Sequence, residues 1–357
     1  MIQLLFFIAI ISTTLLGSSF YVAGFFLHAV TGTFQGLWMA GLLLWVPSLT
    51  CLVGEWRSRV SQVIWIKHLG HILLGAMSVS VAVSTLGYVA LLMGVPGPIA
   101  AVAGVVLIGM LVGLGMVNAR RTPKLTMIDS RIGRTKVLGL KIVHLTDLHL
   151  DGITSTRWVQ KLVDKVNALN PDIVVFTGYL LDIHPSRIPK QIEILKQITA
   201  TKAKLAVSGN HDFYMQYPIY QSVLETIGFT LLDNQHVHVS GIDFIGISDR
   251  DGKRFGHSRP EISDLFSNYG PNQTVIVLSH RPDEFHHFAR LGVMLQLSGH
   301  THWGQLPPFD LIIRLWYTHG RGHGKIANSH IYVSKGTGVW GPPMRLFGRS
   351  EIVGVSI

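Results

Sequence analysis

Of the 30 basic and 20 acidic residues in this chain of 357, only Glu55, Arg57, Arg59 and Lys67 fall before Asn118. So little charge over so long a run leaves a water-soluble domain without a polar exterior. About 20 apolar residues cross the hydrocarbon layer of a bilayer, so the stretch is long enough for several crossings. Four spans are predicted: Ile2–Phe25, Gly36–Gly54, Leu69–Met93 and Ile99–Val117. A weakly polar turn, 28–35, separates the first pair, and Gly94-Val95-Pro96-Gly97-Pro98 joins the last. No basic residue precedes the first apolar run, which argues against a cleaved signal peptide. Mean hydropathy is +0.37 for the whole chain because this half carries almost no charge. The single cysteine, Cys51, rules out an intrachain disulfide.

Short loops rich in lysine and arginine stay on the cytoplasmic side. Arg57, Arg59 and Lys67 stand between spans two and three, and no charge stands between three and four. Arg120, Arg121, Lys124, Arg131, Arg134 and Lys136 follow span four against Asp129 alone. Both basic segments therefore belong on one side, which is expected to be the cytoplasm. The second could also hold anionic headgroups, at about 1 kcal/mol per charge near the surface. No span carries an acidic residue, and His28, His68 and His71 are predicted at span ends. An ion or substrate pathway needs polar groups inside the spans, so residues 1–118 are read as an anchor. Residues 119–137 are read as a basic juxtamembrane linker, and 138–357 as a polar domain.

From Lys141 the pattern changes. Short apolar runs at Lys141–Thr146, Ile173–Thr177, Lys204–Ser208, Val275–Ser279 and Val293–Leu297 have strand length. Between them Trp158, Val159, Leu162, Val163 and Val166 recur at helical spacing, and Ile188–Ile198 forms another helical stretch. Strands alternating with helices predict an α/β domain, with functional groups at the carboxyl ends of strands.

Five clusters sit at those ends. They are Asp147-Leu148-His149, Gly178-Tyr179-Leu180-Leu181-Asp182, Gly209-Asn210-His211-Asp212, His280, and Gly299-His300-Thr301-His302. Asp, Asn and Gly also follow strands for reasons of turn geometry alone, so no single cluster identifies a site. All five in order do. Histidines at i and i+2 on an extended backbone point to one side, which makes His300 and His302 a natural ligand pair. Asp151 is read as a turn cap. His184 is an accessory candidate, and His319 and His323 are surface residues or cleft-lining ones. Arg345 is either a phosphate ligand or part of the Gly341-Pro342-Pro343 turn; the sequence favours neither.

These clusters resemble the calcineurin-like metallophosphoesterase family, whose pattern runs Asp-x-His, Gly-Asp, Gly-Asn-His-Asp/Glu, His, Gly-His-x-His. The resemblance covers Leu138 to Ile357. GHTHWGQLP and the tail YVSKGTGVWGPPMRLFGRSEI, at Tyr332–Ile352, are similar to the family's membrane-associated bacterial subgroup. The resemblance implies an α/β (α+β) four-layer β-sandwich flanked by helices, here preceded by about four transmembrane helices. It implies a phosphoester hydrolase with two divalent ions, about 3.5–4 Å apart in such sites. Asp147, His149 and His302 would bind the first, and Asn210, His280 and His300 the second. Oxygen and nitrogen donors suit Mn, Fe or Zn. His211 would contact phosphate or protonate the leaving oxygen, and Asp212 would orient His211. Gly178, Gly209 and Gly299 would let the backbone turn beneath the ions.

The resemblance departs at Tyr179. The family has an aspartate here that bridges both ions, whereas tyrosine offers one oxygen with an ordinary pKa near 10. In related phosphatases an iron-binding tyrosine comes three residues later, where this chain has Asp182. Three outcomes stand open: Tyr179 ligates one ion while Asp182 supplies a carboxylate, Tyr179 swings aside, or the site is impaired. The expected function is hydrolysis of a phosphoester, lipid-linked or nucleotide-linked, by an integral protein of a bacterial cell membrane. The alternative is a catalytically impaired protein that binds metal or phosphate at the membrane. The bilayer is the expected partner, and no nucleic acid is predicted.

Overall fold

The structure is a computed structural model and describes residues 2–52, 64–128, 139–214, 217–267, 269 and 273–357. The chain divides into two compact units. One comprises Met1–Arg120 with Gln305–Leu311 and Gly341–Gly348; the other comprises the rest.

Among the described residues, the first unit contains the helices α1 (Ile2–Thr31), α2 (Leu37–Ser48), α3 (Ile64–Leu92) and α4 (Gly97–Arg120). Three stretches among the described residues, Ala9–Thr31, Trp65–Leu92 and Gly97–Arg120, are long and apolar enough to cross a membrane. In the second predicted span the described apolar helix runs Leu37–Leu52, with Pro47 inside α2, and residues 53 and 54 lie outside the described residues. Glu55, Arg57 and Arg59 lie outside the described residues. Lys67, His68 and His71 fall within α3, because that helix begins before the apolar run does. Small residues let the helices approach closely. A Cβ on Gly87 of α3 would lie 2.2 Å from the Phe25 ring of α1. Phe25, Ala29, Ala100 and Ala101 form one buried cluster and Val79, Val83, Leu306 and Met344 another. The second cluster shows that two segments from far downstream complete this unit. The Ser78 hydroxyl donates to the Pro307 carbonyl, and the Arg345 N–H donates to the Gly115 carbonyl at 2.9 Å. Cys51 is buried and in no disulfide.

The second unit contains two six-stranded sheets. The first has the order β1 (Lys124–Ile128), β12 (Glu351–Ser356), β2 (Lys141–Leu145), β3 (Ile173–Thr177), β4 (Ala203–Val207), β5 (Thr230–Leu231). The second runs β10 (Gly322–Ile326), β11 (Ser329–Val333), β9 (Leu295–Ser298), β8 (Val275–Ser279), β7 (Ile242–Ile247), β6 (Gln235–Val239). Strands β2 to β5 are mutually parallel, and so are β7, β8, β9 and β11. One buried cluster takes residues from both sheets, including Ile142, Ile173, Val175 and Leu205 from the first and Phe244, Ile276, Leu278 and Leu297 from the second. The sheets therefore face each other across that core. Parallel strands buried on both faces read as continuous apolar runs, and β3 and β8 (IVVFT, VIVLS) are buried throughout.

Helices cover the sheets. In α5 (Thr156–Asn167) Ser155 caps the first turn by accepting from the Trp158 N–H. Its buried face is Val159, Leu162, Val163 and Val166, the stripe visible in the sequence. The remaining helices are α6 (Pro189–Leu195), α7 (Asn210–Tyr214), α8 (Tyr217–Thr226), α9 (Ile262–Leu265), α10 (Phe285–Arg290) and α11 (Phe309–Trp316). Strand β1 lies in the stretch expected to be a linker; it pairs parallel to β12, with Lys124 opposite Glu351. The Thr126 hydroxyl donates to the buried Glu351 carboxylate at 2.7 Å, which ties that edge strand down. Residues 129–138, with Arg131, Arg134 and Lys136, lie outside the described residues.

Candidate metal centre

All five clusters leave the carboxyl ends of parallel strands: Asp147 and His149 after β2, Tyr179 and Asp182 after β3, Asn210–Asp212 after β4, His280 after β8, and His300 and His302 after β9. The pairing of β2 with β3 continues past both strands. Asp147 N–H donates to Gly178 O at 2.9 Å, His149 N–H to Tyr179 O at 3.0 Å, and Leu150 N–H to Leu180 O at 2.9 Å. The His300 N–H reaches across to Asp147 Oδ2 at 3.1 Å, so a carboxylate from one sheet fixes a loop from the other.

Five of these side chains sit on left-handed backbone: Asp147 (φ 53°), His149 (48°), Tyr179 (64°), His300 (72°) and His302 (47°). Such a conformation costs a non-glycine residue about 1–3 kcal/mol and persists only where its surroundings enforce it. His300 and His302 are thus not on extended backbone, as the i and i+2 spacing suggested. β9 ends at Ser298, and the histidines diverge. His302 Nε2 faces His149 Nε2 at 3.2 Å and Asp147 Oδ1 at 3.5 Å, whereas His300 Nδ1 faces His280 Nε2 at 3.3 Å. Of the three glycines, only Gly178 has positive φ (88°). Gly209 and Gly299 are required for space instead: a Cβ would lie 2.7 Å from the Tyr179 ring and 2.2 Å from Asp147 Oδ2 respectively.

The donor atoms of Asp147, His149 and His302 all lie within 4.8 Å of one another, and so do those of His149, Asp182 and His211. His280 Nε2 is 4.0 Å from Asp147 Oδ1. The other ring nitrogens are committed elsewhere. His280 Nδ1 donates to the Thr177 carbonyl at 2.6 Å, and His149 Nδ1 meets both Asp182 oxygens at 2.9 and 3.0 Å. Each ring therefore turns a lone pair inward, toward a buried carboxylate and other imidazoles. Converging lone pairs in a dry site favour a cation among them, so this donor set fits a divalent ion. Asp182 stands behind His149 and orients that ring, and His211 Nδ1 is 3.9 Å from Asp182 Oδ1.

Asp212 does not face His211 as expected. Its Oδ2 accepts from the Gly209 N–H at 2.8 Å and the Tyr179 N–H at 2.9 Å, and its Oδ1 from the Leu180 N–H at 3.4 Å. It pins the loops after β3 and β4 together. Tyr179 is buried among the second set of candidates. Its hydroxyl donates to Asn210 Oδ1 and lies 3.4 Å from His300 Nδ1, and its ring lies 4.0 Å from that of His280, centroid to centroid.

Electrostatics follow burial. Desolvation, then Asp249 and Asp147, push the Tyr179 phenol well above its ordinary range. Burial raises the Asp212 carboxyl to about 7 against three backbone N–H groups. Burial also opposes ionisation of Asp182, but His149 and His211 outweigh it and hold that carboxylate well below its usual range. Desolvation lowers His149, but Asp182, Asp147 and Asp212 reverse this and raise it. Burial, then Arg281, brings His300 down to about 3; burial, then His300, lowers His280 well below the imidazole range. The latter two are neutral at pH 7, the form that ligates metal.

Among the weaker candidates, His184 is exposed and caps a short turn by accepting from the Ser186 N–H. Asp151 is a turn cap, its Oδ1 accepting from the Ile153 and Thr154 N–H groups. His319 packs beside Phe285 and His286, and His323 bonds His330 at 2.7 Å. Arg345 is wholly buried in the helical unit. The sequence reading passed over an adjoining ion network. Arg281 donates to Asp249 at 2.7 Å and to Asp251 at 2.8 Å, and Asp251 also accepts from the Tyr214 hydroxyl at 3.0 Å. Asp249-Arg250-Asp251 follows the apolar run of β7, the same strand-end signal that marked the other clusters.

Residues 140–304 match the family model described as calcineurin-like phosphoesterase. An uncharacterized metallophosphoesterase of Aquifex aeolicus is 32% identical over 222 residues, 61% of this chain and 85% of that protein. One of Campylobacter jejuni is 33% identical over 240 residues, 66% of this chain and 63% of that protein. A zebrafish transmembrane protein with metallophosphoesterase domain is 30% identical over 270 residues, 71% of this chain and 62% of that protein. The chain thus spans less than two thirds of the latter two. The Aquifex protein is matched over most of its length at that identity: the chain belongs to the calcineurin-like metallophosphoesterases.

Proposed function

We propose that the chain is a membrane-anchored phosphoester hydrolase whose catalytic half faces the cytoplasm. The observation that carries this reading is the convergence of Asp147, His149 and His302 donors within 4.8 Å, at the ends of parallel strands. In this reading the catalytic half is the family's four-layer sandwich, carried on about four spans. Asp147, His149 and His302 hold one divalent ion, and Asn210, His280 and His300 hold a second. Oxygen and nitrogen donors fit Mn, Fe or Zn. Such ions, when bound, polarise phosphoryl oxygens and make water a nucleophile at neutral pH. The protein's own groups do the rest. Asp182 fixes the His149 ring, Asp212 holds the Tyr179 and Asn210 loops in register, and His211 protonates the leaving oxygen. The substrate is a phosphoester linked to a lipid or a nucleotide. Elemental analysis of the purified protein, with turnover of p-nitrophenyl phosphate and its bis-ester, tests the assignment. Metal without turnover on any ester overturns it.

A second reading rests on Tyr179. Its hydroxyl occupies the neighbourhood of Asn210 and His300 where the family keeps a carboxylate. A phenol that keeps its proton brings no negative charge to hold two cations. On that reading the centre holds its ions weakly, and the protein binds metal or phosphate without turning substrate over.

A further inference from the structure

None of the eight residues of α11 is buried. At about 100° per residue, Phe309, Leu311, Ile312, Leu315 and Trp316 fall within one arc, and Asp310 and Arg314 lie side by side on the other. All five apolar side chains of that arc are exposed, Leu315 by 88% and Trp316 by 80%. A contiguous apolar face on a folded unit marks a docking surface.

Three observations identify what covers it. First, the helix and the segment that follows it carry exposed cations. Arg314, Arg321 and Lys325 stand against Asp310 alone between residues 309 and 325. An apolar arc with flanking cations and a terminal tryptophan is the composition of a helix lying in the interface of an anionic membrane. Second, the first three residues of α11, 309–311, belong with residues 305–308 to the unit of membrane-spanning helices. Leu306 in that segment is buried with Val79 and Val83 of α3. The helix thus continues from a segment already seated against a transmembrane helix. Third, the chain leaves α11 at the metal centre. The Tyr317 ring lies 6.2 Å from that of His300, and the Thr301 hydroxyl donates to the Gly320 carbonyl at 2.7 Å.

We propose that α11 lies at the boundary between headgroups and acyl chains. There it presents amphiphilic phosphoesters to the centre, with the acyl chain along Ile312, Leu315 and Trp316 and the phosphate toward Tyr317 and His300. The substrate half of this proposal rests on the hydrolase reading; the location of the helix does not.

The test uses the full chain in liposomes containing phosphatidylglycerol. The one native thiol, Cys51, is buried, so a Leu315→Cys variant offers one accessible site for an environment-sensitive dye, and the dye-treated unmodified chain gives the background. A blue-shifted emission quenched by doxyl-labelled lipid is expected. Water-like emission overturns the location. So does a blue shift that doxyl lipid leaves unquenched, because a second copy or another protein then covers the helix. In a second measurement, Leu315→Glu combined with Trp316→Glu should lower the ratio of phosphatidic acid turnover to p-nitrophenyl phosphate turnover at least about tenfold, as expected when two large apolar side chains leave the acyl region. An unchanged ratio overturns the substrate half. If the unmodified chain hydrolyses neither ester, the substrate half falls with the hydrolase reading, while the dye still decides where the helix lies.

Discussion

Asp147 joins the two groups of histidines at the centre. It faces His302 and His280, accepts from the His300 backbone, and sits on left-handed backbone itself. Asp147→Asn and His302→Ala should each abolish hydrolysis while the far-ultraviolet dichroism and melting temperature stay close to the parent's. Near-parental turnover at limiting metal would refute the ligand assignment. Tyr179→Asp supplies the missing carboxylate. It should raise both the metal content per chain and the turnover, and a drop in turnover would show that the tyrosine is a working ligand. Asp212→Ala strands three backbone N–H groups and should destabilise the catalytic unit by about 1–3 kcal/mol, read by urea unfolding. At this scale residue types were legible and partnerships were not. His300 and His302 could be picked out by spacing, but left-handed backbone sends them to different neighbours. Asp212 looked like a support for His211 because the two are adjacent in sequence. Burial and three loop amides give it another partner.

The strands and helix α5 were legible as elements because apolar runs and a four-residue stripe report burial directly. β1 was not: Lys124–Ile128 is short, lies among basic residues, and has meaning only through its distant partner β12. The segment WGPPMRLFG was equally opaque. It contains Arg345, which invites a phosphate-binding reading, yet Met344 is wholly buried with Val79 and Val83, and a Cβ on Gly75 would lie 2.8 Å from its sulfur. Met344→Ala should therefore destabilise the helical unit by about 2–5 kcal/mol. Thermal unfolding in detergent measures this, and an unchanged midpoint would mean that the segment is not a structural plug.

The division into an apolar and a polar half was plain from charge alone, since only bulk composition is needed to see it. The helix count was harder. Leu37–Leu52 is apolar enough for a span, and the described residues there stop at Leu52. Topology is open to direct test. Reporter fusions after Val60 and after Arg121 should both report the cytoplasm, and a fusion at Gly97 the outside, because the basic loops flank α3 and α4 on one side. An external signal at Arg121 would put the catalytic half on the other face of the membrane.

Ser78 binds a carbonyl 229 residues further along the chain. The ribosome will have finished both of the last two spans, and most of the catalytic half, before Leu306 and Met344 exist to fill the space beside them. Until then Val79 and Val83 lack the two downstream side chains that bury them. A chain that stops after Gly304 keeps every metal ligand named here but loses Leu306, Met344 and strands β10 to β12 together, so its failure would be one of assembly rather than of chemistry.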